Sequence, residues 1–279
     1  MDTIMIQTDI ERYCAALRAD EKAAGTIEKY RRDLTAFARW LEGRPVTREA
    51  AAAWKAHLLN RSYAPRTINS MLAALNGFFR FMDWNIKVKF LKVQRQLFRD
   101  TSRELTRPEY DRLLTAAQSS GQERLALIME TLCATGIRIS ELRYITVEAA
   151  QAGHATISLK GKIRTILLST KLCRKLLKYA KKQKIAAGEI FLTSSGRGIS
   201  RRQVWYELKR LCRAAGVEPS KVFPHNLRRL FAVTYYKSCK DIARLADVLG
   251  HSSVETTRIY LTVSGAEQAR QLDRLGLVS

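Results

Sequence analysis

The chain has 279 residues, 46% of them apolar, enough for one large domain or two modest ones with buried cores, and too apolar for wholesale disorder. Lys and Arg number 49 against 26 Asp and Glu, a net charge of +23 that repels itself unless it meets a polyanion; nucleic acid leads and an anionic membrane surface competes. Five dispersed cysteines without a C-x-x-C pair argue against a disulfide framework or a zinc site, and no apolar run nears the roughly 18 residues of a membrane span, so a cytoplasmic protein is expected.

Residues 1–13 lack the basic-then-apolar pattern of a secretory signal. Ile27, Tyr30, Leu34, Phe37 and Leu41 then recur at three- and four-residue spacing and predict a helix ended by Gly43 and Pro45. A second helix begins near Pro65 and carries Ile68, Met71, Leu72, Leu75, Phe78, Phe79 and Met82 on one face. Such stripes are core, and the arginines opposite (Arg31, Arg32, Arg39, Arg66, Arg80) are solvated charges before they are phosphate contacts. Around 85–104 the stripe fades and basic residues accumulate, which reads as a linker.

Thr106 and Glu109 form a capping-box signature for a helix running toward Ala117. The next helix carries Leu125, Ile128, Met129 and Leu132, and Gly136 stops it. Over 155–169 the period changes to that of a β-hairpin with Lys160-Gly161-Lys162 at its tip. Residues 171–184 hold seven basic side chains and no acid, the pattern of a helix with a basic solvated face. The remainder reads as helical, broken between Gly188 and Gly198 and between Gly216 and Pro224. Both regions are basic, with 17 cationic against 10 anionic side chains over residues 1–98 and 32 against 16 beyond.

Three short motifs could carry chemistry. In Gly136-Ile137-Arg138-Ile139-Ser140-Glu141-Leu142 the glycine breaks one helix and Ser140-Glu141 begins another, leaving Arg138 in the turn, flanked and partly desolvated by two isoleucines. In Pro224-His225-Asn226-Leu227-Arg228-Arg229 a helix opens, and His225 and Arg228 share a face. In Leu249-Gly250-His251 the glycine ends a helix, Ser252 and Glu255 cap the next, and Tyr260 follows in its third turn. Each motif alone has an ordinary explanation: an Arg138–Glu141 ion pair, a helix surface, a packed tyrosine.

Taken in order, the Gly-Ile-Arg-Ile-Ser-Glu-Leu run, the hairpin lysine, His-x-x-Arg, Leu-Gly-His and a Tyr nine residues later resemble the tyrosine recombinase (phage integrase) family in its Xer-like two-domain form. The motifs cover about residues 104–265, and the first hundred residues resemble the family's helical core-binding domain more loosely. The resemblance implies a mainly α fold with a small β-hairpin: a SAM-like core-binding domain over 1–90, a linker over 91–103, and a mixed α+β catalytic domain over 104–279 with a C-terminal tail, closing as a clamp around DNA. The helical region begins almost at residue 1, so no additional arm-binding domain is expected.

The same resemblance assigns roles. Tyr260 would attack a phosphodiester and form a 3′-phosphotyrosine. Arg138 and Arg228 would clamp the non-bridging oxygens, and Lys160 would protonate the leaving 5′-oxygen, with Lys162 an alternative two residues on. His225 would assist proton transfer at the tyrosine and His251 would hydrogen-bond the phosphate, while Glu141 orients the Arg138 segment. Guanidinium groups stay charged at any working pH, so neither cofactor nor metal is expected. The implied partner is a pair of double-stranded recombination sites, bound by a homo-tetramer in the synaptic complex, with a monomer expected free in solution. The implied purpose is integration, excision or inversion of a mobile element, with dimer resolution of the Xer type as the alternative. A type IB topoisomerase would share the chemistry, and a non-catalytic DNA-binding protein is the rival from another class.

Overall fold

The computed structural model describes residues 4–93, 102–159, 162–261, 268–270 and 273–275, with backbone alone at Leu159 and Lys162. Two compact units divide the chain, Met1–Arg95 and Gln96–Ser279.

The first unit contains α1 (Gln7–Ala19), α2 (Ala24–Leu41), α3 (Arg48–Asn60) and α4 (Pro65–Phe81). Helices α2 and α4 carry the two long stripes expected from the sequence. Helices α1 and α3 bury shorter ones, Ile10, Tyr13, Cys14 and Leu17 in the first and Ala51, Trp54 and Leu58 in the second. Phe37, Phe78 and Phe79 are fully buried at the centre, and Tyr13 meets Phe78 edge-on with ring centroids 5.7 Å apart. Helix α2 ends at Leu41 because Glu42 adopts a left-handed φ of 50°, one residue ahead of the expected glycine. Arg44 then turns back, and its Nε and Nη2 donate to the carbonyls of Leu41 and Trp40, each at 2.8 Å. Those carbonyls have no partner within the helix, so the arginine serves as a C-terminal cap.

The segment after α4 is bound to it. The Asn76 amide donates to the Val88 carbonyl and accepts from the Val88 N–H, both at 2.9 Å. Asn69, two turns earlier, does the same for Leu91 at 2.9 and 2.8 Å. Each asparagine thus imitates a neighbouring strand for one residue of an extended chain, and Lys55 adds a bond to the Lys89 carbonyl at 2.9 Å. Residues 85–93 therefore belong to the first unit, and of the expected linker residues 94–101 lie outside those described.

The second unit is helical around one antiparallel hairpin. In order it contains α5 (Arg107–Ser119), α6 (Glu123–Thr135), a 3-10 helix (Ile139–Tyr144), α7 (Val147–Ala152), β1 (His154–Leu159), β2 (Lys162–Leu167), α8 (Thr170–Lys182), α9 (Arg201–Ala215), α10 (Pro224–Cys239), α11 (Ile242–Leu249) and α12 (Val254–Leu261). The mainly α class with a small hairpin is as expected. The Thr106–Glu109 capping box forms, with the Thr106 N–H donating to the Glu109 carboxylate at 2.8 Å. Helix α6 is buried nearly all round, with Ile128, Met129 and Leu132 at zero exposure, and forms the centre of the core. The strands pair from His154 with Leu167 to Leu159 with Lys162. Ala155, Ile157, Ile166 and Leu168 face inward while Ile163 and Leu167 face out. Among the described residues no helix is long and apolar enough to cross a membrane.

Candidate active site

Helix ends and turns of the second unit bring the singled-out residues together. Arg138 is the residue before the 3-10 helix, in extended conformation, with its N–H donating to Glu141 Oε2 at 2.6 Å and its Nη1 to Glu141 Oε1 at 3.1 Å. The flanking isoleucines do not desolvate it. Ile137 turns into the core at zero exposure, but the Arg138 side chain is 45% exposed. Sequence neighbours alternate sides on an extended backbone, which is why the expectation of a desolvated Arg138 fails.

The desolvated guanidinium is that of Arg228, 3% exposed in the first turns of α10. Its Nη1 donates to the Gly136 carbonyl and its Nη2 to the Leu249 carbonyl at 2.7 Å. Both acceptors stand at helix C-termini, of α6 and α11, where unpaired carbonyls concentrate partial negative charge. The buried cation is thus compensated by two helix ends, and among the described residues no carboxylate forms an ion pair with it. Gly136 has φ +63°, and a Cβ there would stand 2.3 Å from Phe231 Cδ1, so backbone and packing both require glycine.

Arg228 Nη2 also lies 2.9 Å from His251 Nε2. A guanidinium only donates, so Nε2 accepts, and the imidazole proton sits on Nδ1, which is 2.8 Å from the hydroxyl of fully buried Thr257. Burial, and then the charges of Arg228, Arg138, Arg164 and His225, push the His251 pKa down to about 4, which agrees with that neutral tautomer.

Tyr260 is 5% exposed and packs against two imidazoles. Its ring centroid is 5.4 Å from that of His225 and 5.8 Å from that of His251, the second pair nearly parallel at 14°. Its hydroxyl lies beside the Arg228 side chain. The ring also belongs to a small apolar cluster with Ala232, Leu245 and Leu249, so it both packs and faces the polar site. His225 has its outer edge exposed, yet desolvation of the packed ring, together with Arg228, Arg229 and Arg138, lowers its pKa from 6.5. The helix carrying Tyr260 starts at Val254, with Ser253 rather than Ser252 accepting the Glu255 N–H at 3.2 Å. Tyr260 accordingly falls in its second turn, not its third.

Arg138, His225, Arg228, His251 and Tyr260 therefore share one locality. Lys160 lies outside the described residues, as does most of the tail after Leu261. Two participants escaped the sequence reading. Thr257 fixes the His251 tautomer, and Arg164 of β2 donates to Glu141 Oε2 at 2.6 Å and to the Val248 carbonyl at 2.7 Å. The available signal for Arg164 was a charged residue on the same strand face as Ile166 and Leu168. Among the described residues no group of three or more His, Cys, Asp or Glu side chains is gathered as a metal site would require.

Two family models match the chain: the phage integrase family over residues 103–267, and the phage integrase N-terminal SAM-like domain over residues 10–85. The tyrosine recombinase XerC of Roseiflexus sp. is 30% identical over 278 residues, covering 90% of this chain and 88% of its own. The tyrosine recombinase XerD of Brucella suis is 31% identical over 293 residues, covering 94% of each. Among solved structures, the XerH site-specific recombinase bound to a palindromic difH substrate in a post-cleavage complex superposes with a TM-score of 0.75 at 18% identity, covering 96% of this chain and 84% of its own. A lambda integrase tetramer bound to a Holliday junction gives a TM-score of 0.69 at 23% identity, covering 91% and 76%. Likenesses at these identities are likenesses of fold.

Proposed function

The chain belongs to the phage integrase family and is a tyrosine recombinase acting at specific DNA sites, and we propose that it does so by metal-free transesterification through Tyr260. The observation that carries this reading is the Tyr260 ring packed against both His225 and His251, with the buried Arg228 guanidinium beside its hydroxyl.

Tyr260 Oη attacks the scissile phosphorus, the bond from phosphorus to the 5′-oxygen breaks, and a 3′-phosphotyrosine forms. The tyrosine proton passes toward His225, whose lowered pKa leaves it neutral and able to accept near pH 7. The departing 5′-oxygen takes a proton from Lys160, with Lys162 the alternative donor. Arg228 and Arg138 hold the non-bridging oxygens as charge builds on them. Arg228 is already in place, anchored by two helix ends, whereas the more exposed Arg138 guanidinium is bonded to Glu141 through Nη1 and would turn from it to the phosphate. His251, with its proton on Nδ1 toward Thr257 and its Nε2 accepting from Arg228, acts on the phosphate site by holding that guanidinium. The phosphodiester energy is retained in the covalent intermediate, so rejoining needs no nucleotide.

The partners on this reading are two double-stranded sites bound by a tetramer assembled from monomers, in the cytoplasm. Rearrangement of a mobile element and dimer resolution differ only in where the sites lie. Whole-length similarity to XerC and XerD fits the Xer-like alternative and is equally compatible with the first purpose.

The test is covalent capture. The protein is incubated with a pool of duplexes of randomised sequence, each nicked so that the fragment beyond the cut diffuses away. We expect wild-type protein to become linked to DNA 3′ ends in the presence of chelator, and Tyr260→Phe to form no link. Linkage by both proteins, or by neither, overturns the assignment, and complete inhibition by chelator overturns the metal-free step. Strand exchange between two captured sites separates a recombinase from a type IB topoisomerase. Mapping captured sequences to element ends or to a single chromosomal locus separates the two purposes.

A further inference from the structure

Glu141 is a buried carboxylate, its side chain 3% exposed, shared by two arginines. Arg164 reaches Oε2 at 2.6 Å from a side chain only 15% exposed, whereas the Arg138 guanidinium reaches Oε1 at 3.1 Å from one that is 45% exposed. The interaction with Arg164 is shorter and better shielded, and shielding strengthens a charge pair. With its charge met there, the carboxylate need not hold Arg138. Arg164 also donates to the Val248 carbonyl, while Arg228 donates to that of Leu249, so two arginines grip successive carbonyls at the end of α11. Immediately beyond is Gly250, at φ +63°, where a Cβ would stand 2.5 Å from Arg164 Cδ; His251 follows.

We propose that Arg164 is a positioning residue for strand cleavage: it neutralises Glu141 so that Arg138 remains available to the DNA phosphate, and it fixes the Gly250–His251 turn. The proposal rests on Arg138 and His251 belonging to the phosphate site, as read above. Arg164 touches no reacting atom and acts through both. Without it, the full charge of the buried carboxylate falls on Arg138 and draws that guanidinium away from DNA.

The charge part of this idea gives a reversal that a purely structural role does not. Single-turnover formation of the covalent complex is measured on a nicked duplex recovered by the capture experiment, with wild type, Arg164→Gln, Glu141→Gln, the Arg164→Gln/Glu141→Gln double variant and Arg138→Ala, alongside duplex affinity and thermal melting. Arg164→Gln is expected to slow the reaction by roughly 10- to 100-fold with duplex affinity unchanged, and adding Glu141→Gln to restore roughly fivefold or more of that loss. A double variant as slow as Arg164→Gln, or slower, overturns the proposal while leaving the site reading intact. An Arg138→Ala protein that cleaves at the wild-type rate overturns the site reading instead. Should Arg164→Gln fail to fold, Arg164→Lys carries the test, because it keeps the cation for Glu141 but cannot span to Val248. That variant is expected to cleave within about tenfold of wild type, and a loss as large as that of Arg138→Ala overturns the charge argument.

Discussion

In the first unit the buried ionisable side chains Asp9 and Asp33 sit at the edge of the core, each met one turn away by a cation, Arg12 or Lys29, while the centre is occupied by Phe37, Phe78 and Phe79. In the second unit buried charge gathers around the candidate site: Glu141, paired with Arg138 and Arg164, and Arg228, beside the tyrosine, are almost sealed from water, and Arg228 is balanced by the carbonyl ends of two helices. One unit is arranged for stability. The other holds a desolvated cation, and on the proposed reading its position is explained by what it offers a phosphate.

The comparison predicts that damage to the first unit is read in stability and damage to the second in rate. Phe78→Ala removes a fully buried ring and should cost about 3–5 kcal/mol by denaturant titration, with the cleavage rate of DNA-bound protein retained. A comparable loss of rate in the bound protein would break the contrast. Arg228→Met should lower single-turnover cleavage by roughly 100- to 1,000-fold with a melting temperature changed by only a few degrees. Gly136→Ala probes the join between the two properties. It adds a side chain at positive φ against Phe231 and should cost about 1–3 kcal/mol, and it should also slow cleavage because the Gly136 carbonyl holds Arg228. Asn76→Leu should cost about 1–3 kcal/mol and accelerate hydrogen exchange at the Val88 amide, with exchange in the second unit unchanged.

The smallest expected effect is a pH dependence. His251 has a folded pKa of about 4 against 6.5, so below pH 6.5 the unfolded chain binds more protons than the folded one. Its contribution to stability is therefore complete above pH 6.5 and is lost progressively as pH falls toward 4. His251→Gln should flatten the melting-temperature profile within that window; an unchanged slope would place the histidine in a different protonation state.

Much of this architecture was legible because helical stripes and caps are local. The stripes of α2, α4 and α6 and the Thr106 box needed only spacing and residue type. What escaped depended on facing. Arg138 was expected to be desolvated by its neighbours in sequence, but the backbone turns them to opposite sides. Arg164 became visible as a participant only when hairpin register placed it on the inner face, opposite Ile157. The Thr257 contact with His251 spans a turn whose cap moved from Ser252 to Ser253, a shift of one residue that spacing could not decide. The polar run after residue 85 resembled a linker because its bonds are made by asparagine side chains, not by an apolar face.

Those asparagine clamps have a consequence for the charge carried after α4. As a free chain, residues 85–93 could sweep through about 30 Å, but with Val88 and Leu91 fastened to α4 that length is part of a folded surface. The exposed Lys87, Lys89 and Lys92 are thereby carried at set places on the first unit, so a polyanion meeting them finds a pattern that need not be ordered first. Two side chains on one helix thus turn a basic string into a basic edge.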